Sequence, residues 1–270
     1  MKLQVIGDPV LHSLSPKIHG AMLAELGLDI PYNAHVVKKG GLPDYLTWAK
    51  ANGITGFNAT MPHKEDLLPL LDELTPDASR MGAVNTVYLR EGKWMGGNTD
   101  GEGCLAALKE SGMWPAKNVV VLGAGGAAKA VALKLASSAV EKVWVCNRTF
   151  AKAEALCTLP NMIPADFTPS ILSQLCCEAD LLVNGTNLGM AGQAQFESLD
   201  FLNSLPNHAG VFDVIYHPAE TELLARAKNR GLNVCNGLPM LIHQAIFALE
   251  YFLDRPLDHQ RMAEVIQSIL

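Results

Sequence analysis

Short apolar runs alternate with amphipathic segments in the first hundred residues. Leu3 to Ile6, Tyr32 to Val37 and Ile54 to Ala59 have the length and composition of strands. Ile18 to Leu26 and Leu42 to Ala51 have helical spacing, and each is followed by a glycine that ends it. This alternation predicts an α/β fold with a parallel or mixed sheet.

The same alternation begins again near residue 101. A helix is expected from Glu102 to Ser111, a buried strand from Val119 to Leu122, a helix to about Ser138 and a strand from Val143 to Cys146. The last three form a βαβ unit of about 30 residues. Further strands are predicted at 181–183, 211–215 and around Val234, and further helices at 221–230, 239–253 and 263–270.

Composition narrows the possible functions. The 270 residues are 49% hydrophobic and 18% charged, a balance typical of globular proteins, and the net charge of −6 argues against nucleic-acid or anionic-membrane binding. Six cysteines without a Cys-x-x-Cys pair are better explained as thiols than as disulfides or a zinc site. Because no signal-peptide core or membrane-length apolar run is present, we expect a cytoplasmic protein.

A glycine-rich turn follows the strand ending at Leu122. Gly123-x-Gly125-x-x-Ala128 opens a helix there, the context in which a dinucleotide pyrophosphate binds the helix N-terminus. The turn alone is as often structural, but the next strand ends in Asn147-Arg148-Thr149, with Lys152 one turn later. An acidic residue that would accept from the ribose of NAD is missing, so the cations favour the 2′-phosphate of NADP.

Polar residues gather where strands of the first half end. Ser13 and Ser15 precede a helix, and a helix start predicted at Met61-Pro62 places Lys64 in its first turn. Asn58, Thr60, Asn85 and Asp100 are the other candidates at these junctions. Helix capping explains Ser15 and Asp100 equally well, and Lys64 alone is ordinarily a solvated charge. These residues by themselves leave a polyhydroxylated ligand an open question.

The chain resembles shikimate dehydrogenases over nearly its whole length. Nine segments carry the resemblance, in the order found in that family: GDPVLHSLSPKIH (7–19), NATMPHK (58–64), GAVNT (82–86), GGNTDGEG (96–103), GAGGAA (123–128), NRTFAK (147–152), NGTNLGM (184–190), DVIYHPAET (213–221) and GLPMLIHQA (237–245). The resemblance implies a substrate domain of residues 1–101, to which helices of 238–270 return, and a Rossmann-like NADP-binding domain of residues 102–237. It also implies a cleft between them.

The resemblance assigns roles to individual residues. Lys64 and Asp100 would be the catalytic pair in the reversible NADPH-dependent reduction of 3-dehydroshikimate to shikimate, a step of aromatic amino-acid biosynthesis through chorismate. Substrate would be bound by Ser13, Ser15, Asn58, Thr60, Asn85, Tyr216 and Gln244. The cofactor residues would be Gly123, Ala124, Gly125, Gly126, Ala127, Asn147, Arg148, Thr149, Lys152, Val214 and Gly237. No metal is expected.

Departures from the family pattern and alternative functions remain. Gly20 and Asn187 stand where the family commonly has other residues, and neither is assigned a chemical role. Pro239 is expected to alter the loop that carries Gln244. A paralogue acting on quinate or aminoshikimate is the nearest alternative, and a non-catalytic ligand sensor is a second. A short-chain alcohol dehydrogenase would need Tyr-x-x-x-Lys, which Tyr216 and Glu220 do not provide. The sequence leaves monomer and homodimer open.

Overall fold

The computed structural model describes all 270 residues, which divide into two compact units. Unit 1 comprises Met1–Thr99 and Ile242–Leu270, and unit 2 comprises Asp100–Leu241. The strands are β1 (Leu3–Gly7), β2 (Tyr32–Val36), β3 (Gly56–Ala59), β4 (Glu73–Leu74), β5 (Thr86–Arg90), β6 (Lys93–Gly97), β7 (Asn118–Leu122), β8 (Lys142–Asn147), β9 (Met162–Asp166), β10 (Leu181–Asn184), β11 (Gly210–Asp213) and β12 (Asn233–Cys235).

Ten α-helices connect or follow these strands. They are α1 (Ser15–Glu25), α2 (Leu42–Ala51), α3 (Pro76–Met81), α4 (Asp100–Glu110), α5 (Gly126–Ala136), α6 (Phe150–Leu156), α7 (Pro169–Cys176), α8 (Glu222–Asn229), α9 (Leu238–Leu253) and α10 (His259–Gln267), with 3₁₀ helices at Leu68–Leu70 and Asp200–Ser204. None of them combines the length and apolar character of a membrane-spanning segment.

Unit 1 contains a mixed six-stranded sheet in the order β2-β1-β3-β5-β6-β4. Strands β1, β2 and β3 are parallel, and β5 runs antiparallel to β3 with Asn58 opposite Thr86. The carboxyl ends of β1 and β3 therefore lie beside the amino end of β5. This edge of the sheet gathers the polar residues that follow β1 and β3.

Helix α9 packs on the same sheet. A Cβ atom on Gly56 in β3 would lie 2.5 Å from Cδ1 of Phe252, so only glycine leaves room for the ring. Phe252 is fully buried there. On the core of the sheet, Phe57 meets Trp94 edge to face at 5.6 Å between ring centroids. Burial of these aromatic rings stabilises the sheet that carries the polar edge.

Unit 2 is a doubly wound α/β unit. Its six strands are all parallel, in the order β12-β11-β10-β7-β8-β9. The chain winds outwards from β7 through β8 to β9, and then returns to the other side of β7 with β10. Ligands of such sheets bind beyond the carboxyl ends of the strands at this reversal, between β7 and β10.

The helix predicted to start at Met61-Pro62 is not formed. Residues 61–67 are turns, and the 3₁₀ helix begins only at Leu68. The Lys64 carbonyl accepts instead from the backbone N–H of Val84 at 2.8 Å, while the Leu68 N–H donates to Glu65. The Lys64 carbonyl thus bonds to Val84 and not to Leu68, so the i to i+4 pattern of an α-helix does not continue through Lys64.

Two other expectations of local structure are corrected. The residue preceding α1 is Leu14, which makes no side-chain cap, so Ser15 is the first helical residue and not the cap. Gln244 lies within helix α9 and not on a loop. Pro239 lies in the first turn of the same helix. A proline is tolerated there because first-turn N–H groups have no partner within the helix.

Candidate active site

The turn after β7 has a geometry that only glycine adopts. Gly123 has φ of 101°, and a Cβ atom there would lie 2.9 Å from Cγ2 of Thr186. Its N–H donates to the Cys146 carbonyl at 2.7 Å, which fixes the turn against β8. The side chain of Thr186 follows β10, so the turn lies at the reversal point of the sheet.

Helix α5 begins immediately after this turn, close to the sheet. A Cβ atom on Gly185 would be 2.6 Å from Cβ of Ala128, so both positions need small residues for the helix to approach. Gly125 and Gly126 are exposed, and added Cβ atoms there would meet nothing within 4 Å. The N-terminus of α5 is therefore open on this side, and the N–H groups of a helix N-terminus are the groups that bind a phosphate.

Two cations without partners follow β8. Arg148 and Lys152 are exposed and make no side-chain hydrogen bond or ion pair, while Asn147 Nδ2 donates to the Thr149 carbonyl at 2.9 Å and shapes the turn. Asp166 on β9 is paired in register with Asn147. A cavity of about 190 Å³ with a mixed polar and apolar lining opens beside Arg148. Its aromatic lining is Phe167, Phe196 and Phe201.

A buried carboxylate organises the loops after β10 and β11. Asp213 accepts from Asn184 Nδ2 at 3.0 Å, from the Ile215 N–H at 3.1 Å and from Thr221 Oγ1 at 2.7 Å. Asn184 Oδ1 in turn accepts from Thr186 Oγ1 at 2.7 Å. Burial raises the pKa of the Asp213 carboxyl to about 6, although these hydrogen bonds oppose the shift.

The segment after β11 also contacts the chain that leads into α9. A Cβ atom on Gly237 would lie 2.0 Å from the Val214 carbonyl oxygen, and the Gly237 N–H donates to the Ile215 carbonyl at 3.0 Å. Val214 is held from the other side, where its N–H donates to the Asn184 carbonyl at 3.0 Å. Only glycine permits this approach, so Gly237 fixes the position of Val214.

In unit 1 the two serines are connected directly. Ser13 Oγ donates to Ser15 Oγ at 3.1 Å and accepts from the Ser15 N–H at 3.2 Å. Both are half-buried. The Ser15 hydroxyl faces the phenol of Tyr32 on β2, where it opposes the rise in the pKa of the phenol that burial causes.

The network continues from Tyr32 across β3 and β5. The phenol donates to Asn58 Oδ1 at 2.7 Å, and Asn58 Nδ2 donates to the Asn85 carbonyl and to Thr86 Oγ1, both at 3.1 Å. Asn85 Oδ1 accepts from Thr86 Oγ1 at 2.8 Å and from the Thr99 N–H at 3.0 Å. Of the residues singled out in the sequence, Asn58 and Asn85 belong to this buried hydrogen-bonded chain, and Ser13 and Ser15 form a half-buried pair that faces its Tyr32 end.

Lys64 and Thr60 lie beside this chain of hydrogen bonds. The Thr60 N–H donates to the Ile6 carbonyl at 2.9 Å, and a Cβ atom on Gly7 would be 2.4 Å from Cγ2 of Thr60. Lys64 is half-buried, and its carbonyl is bound to Val84, which precedes Asn85. The buried ring of His63 holds the same turn through a 2.7 Å contact between Nε2 and the Val37 carbonyl.

The remaining candidates are distributed between the two units. Gln244 belongs to unit 1, whereas Asp100 and Tyr216 belong to unit 2. Asp100 is the half-buried first residue of α4, and Tyr216 is 44% exposed in the segment after β11.

Both units match profiles of one protein family. Residues 5–87 match the shikimate dehydrogenase substrate binding domain, and residues 105–188 match shikimate / quinate 5-dehydrogenase. A curated relative from Symbiobacterium thermophilum, "Shikimate dehydrogenase (NADP(+))", is 41% identical over 97% of this chain and 92% of its own length. The chain belongs to the shikimate dehydrogenase family.

Solved structures of shikimate dehydrogenase relatives have the same fold. Shikimate 5-dehydrogenase from Thermus thermophilus, in complex with NADP(H) and shikimate, is 37% identical with a TM-score of 0.86 over 100% of both chains. Quinate dehydrogenase from Corynebacterium glutamicum, in complex with NAD, is 32% identical with a TM-score of 0.89 over 99% of both chains. The fold of this family therefore serves more than one substrate and cofactor.

Several residues of this shikimate dehydrogenase site were not identified from the sequence. Tyr32, Thr86 and Thr99 join the network in unit 1, and Asp213 and Thr221 organise the loops in unit 2. Tyr32 and Thr86 lie in strands, where a polar residue with a buried neighbour on each side is indistinguishable by pattern from an outward-facing one. Asp213 did carry a signal, since an aspartate at the end of a fully apolar strand requires hydrogen-bond donors.

Proposed function

We propose that this chain catalyses the reversible reduction of 3-dehydroshikimate to shikimate with NADPH, as a step of aromatic amino-acid biosynthesis. The observation that carries the proposal is the buried network from Tyr32 to Asn85, with the hydrogen-bonded pair of Ser13 and Ser15 beside it, in a member of the shikimate dehydrogenase family. A continuous set of hydroxyl and amide groups suits a ligand with several hydroxyls, because every unmatched polar atom would penalise a wrong ligand.

NADP is the proposed cofactor of unit 2. The Gly123 turn and the open N-terminus of α5 fit a pyrophosphate, with Ala124, Gly125, Gly126 and Ala127 supplying backbone. The 2′-phosphate would be held by Asn147, Arg148, Thr149 and Lys152. Arg148 and Lys152 would not have to give up a protein partner to bind it. When bound, the nicotinamide supplies or accepts the hydride, and Val214 and Gly237 would border its ring.

Substrate binding is proposed for unit 1 with one contribution from unit 2. Ser13, Ser15, Asn58, Thr60, Asn85 and Gln244 would position the carboxylate and hydroxyls, and Tyr216 would contribute from the segment after β11. The hydrogen bonds between Ser13 and Ser15 and between Asn58 and Asn85 support this role, because they fix these groups before substrate binds. Such preorganisation reduces the entropy lost on binding.

Lys64 and Asp100 are proposed as the proton-transfer pair. The Lys64 ammonium would donate to the oxygen that becomes the hydroxyl of shikimate, and the same amine would remove that proton in the oxidising direction. The turn that carries Lys64 is anchored at two points, by His63 to Val37 and by the Lys64 carbonyl to Val84. Anchored backbone supports precise delivery of a proton, since a small misplacement is costly in rate.

The domain assignment follows from these roles. We propose residues 1–101 with 238–270 as the substrate domain and residues 102–237 as the NADP-binding domain.

A substrate-by-cofactor kinetic grid tests the proposal. Purified protein is assayed with shikimate and quinate, each with NADP and NAD, by following the absorbance of the reduced nicotinamide. We expect kcat/KM to be highest for shikimate with NADP. A preference for quinate would assign the alternative activity that the Corynebacterium relative represents. The absence of turnover in every combination would indicate a non-catalytic ligand sensor.

A further inference from the structure

Tyr32 lies at the centre of the network in unit 1, although no sequence motif drew attention to it. Its ring is 7% exposed on β2, and its phenol lies between α1 and β3. On the α1 side the phenol faces the Ser15 hydroxyl, and on the β3 side it donates to Asn58 Oδ1. The two groups that it joins are both proposed substrate contacts.

We propose that Tyr32 is a positioning residue for the substrate, whose phenol couples the serine pair on α1 to Asn58 on β3. The inference rests on the proposed function, because the groups that Tyr32 orients are those assigned to substrate. Tyr32 itself is not assigned a contact with substrate or cofactor.

The phenol of Tyr32 has a single proton, which determines the direction of the hydrogen bonds around it. A hydroxyl carries one proton, and that of Tyr32 is given to Asn58. Any proton shared between Ser15 and the phenol must therefore come from Ser15, whose own oxygen accepts from Ser13. Removing the phenol oxygen removes the oxygen that faces Ser15 and the donor that satisfies Asn58.

Both the oxygen and the nitrogen of the Asn58 side-chain amide form hydrogen bonds within the protein. Its two N–H groups are used by the Asn85 carbonyl and Thr86 Oγ1, so Oδ1 is the atom left for Tyr32 and a ligand. Without the phenol, this buried oxygen would lose its one protein donor. An unsatisfied buried acceptor drives side chains to rearrange, which would displace Asn58 from its substrate-binding position.

The Tyr32 ring is held independently of its hydroxyl. It stacks on His19 with centroids 4.2 Å apart and an interplanar angle of 3°. Burial lowers the pKa of His19 to about 3, so the stacked imidazole is neutral at physiological pH. A phenylalanine ring would keep this packing, and Tyr32→Phe therefore removes the hydroxyl with little other change.

Tyr45 provides a matched control in the same unit. Its phenol is also buried and donates to a side-chain amide oxygen, Gln4 Oε1, at 2.8 Å. Gln4 has no hydrogen bond to any proposed substrate residue. Tyr45→Phe thus removes an equivalent buried hydrogen bond outside the network.

The test measures shikimate binding and turnover in wild type, Tyr32→Phe and Tyr45→Phe. We expect Tyr32→Phe to raise the KM and the calorimetric Kd for shikimate about tenfold, a change within the usual range for one hydrogen bond. kcat should change less than about threefold, and the KM for NADP should stay at the wild-type value. Tyr45→Phe should lower the melting temperature to a similar extent without changing either shikimate constant.

A double variant asks whether Tyr32 acts through Ser15. Ser15→Ala removes the hydroxyl that faces the phenol. If Tyr32 acts through that hydroxyl, adding Tyr32→Phe to Ser15→Ala should raise the shikimate Kd by less than Tyr32→Phe does alone. Equal factors in both backgrounds would contradict the coupling.

Other outcomes separate this inference from the proposed function. An unchanged Kd in Tyr32→Phe, or an equal change in Tyr45→Phe, would overturn the positioning role while wild-type turnover of shikimate still stands. A Tyr32→Phe chain that does not fold would assign the hydroxyl to stability instead of positioning. Wild-type protein that neither binds nor oxidises shikimate would reject the proposed function, and the inference with it.

Discussion

The buried carboxylate of Asp213 makes a prediction about the pH dependence of stability. Asp213 has no cationic partner, and its three donors are the neutral groups of Asn184, Ile215 and Thr221. Burial raises its pKa from 3.8 to about 6. The folded protein therefore binds this proton more tightly than the unfolded chain does. The contribution is fully present below pH ~4 and is lost as the pH rises through about 6.

The size of the effect follows from the two pKa values. A difference between 3.8 and about 6 corresponds to about 3 kcal/mol of unfolding free energy. Asp213→Asn cannot titrate, so it should lack this component. The stability of wild type relative to Asp213→Asn should fall by about 3 kcal/mol between roughly pH 4 and pH 7.

Urea unfolding of both proteins at several pH values measures this difference. Pulsed hydrogen exchange of peptides from β7, β10 and β11 reports on unit 2 in particular. Taking the difference between the two proteins cancels the titration of other groups. A difference that is constant with pH, or that grows in favour of wild type as pH rises, would refute the assignment of a raised pKa to Asp213.

Two further variants test the cofactor residues. Arg148→Ala should raise the KM for NADPH by about 10- to 100-fold and leave the KM for NADH within about twofold, since a charge-assisted bond to a phosphate is lost. The control is Arg226→Ala, which breaks only an exposed ion pair with Glu222. Equal losses for both cofactors would contradict the 2′-phosphate role. Gly237→Ala places a Cβ atom 2.0 Å from the Val214 carbonyl and should destabilise the fold by about 2 kcal/mol and weaken NADPH binding. Gly20→Ala in α1, where the added Cβ would meet nothing within 4 Å, should be neutral or stabilising in the same melting scans.

The sequence predicted the elements that have strong periodicity or clear end signals. Leu42–Ala51 has the predicted bounds, because Asn52-Gly53 ends it, and the βαβ unit around the Gly123 turn is confirmed. The hairpin of β5 and β6 was not predicted, although Glu91 and Gly92 both have positive φ, the signature of a tight hairpin turn. Its strands are short and of mixed polarity, so local pattern alone did not separate them from loop.

Site residues could be predicted where their type is unusual for a purely structural position. They could not be predicted where their role depends on contacts with residues distant in sequence. Arg148 in place of an acidic residue pointed to NADP, and Gly123 pointed to a nucleotide turn, because each departs from what structure alone requires. The helix expected at Lys64 was wrong because a distant N–H, that of Val84, takes its carbonyl. Tyr32 was missed for the same reason, since its importance depends on Ser15 and Asn58, which are far from it in sequence.

Single-turnover and steady-state kinetics of Lys64→Ala decide whether Lys64 transfers the proton in shikimate oxidation. We predict a decrease in kcat of roughly 100-fold or more, with NADPH affinity close to that of wild type. Lys38→Ala, which removes an exposed lysine of the same unit paired with Asp8, should retain wild-type kcat. A Lys64→Ala protein that keeps most of its turnover would contradict the account.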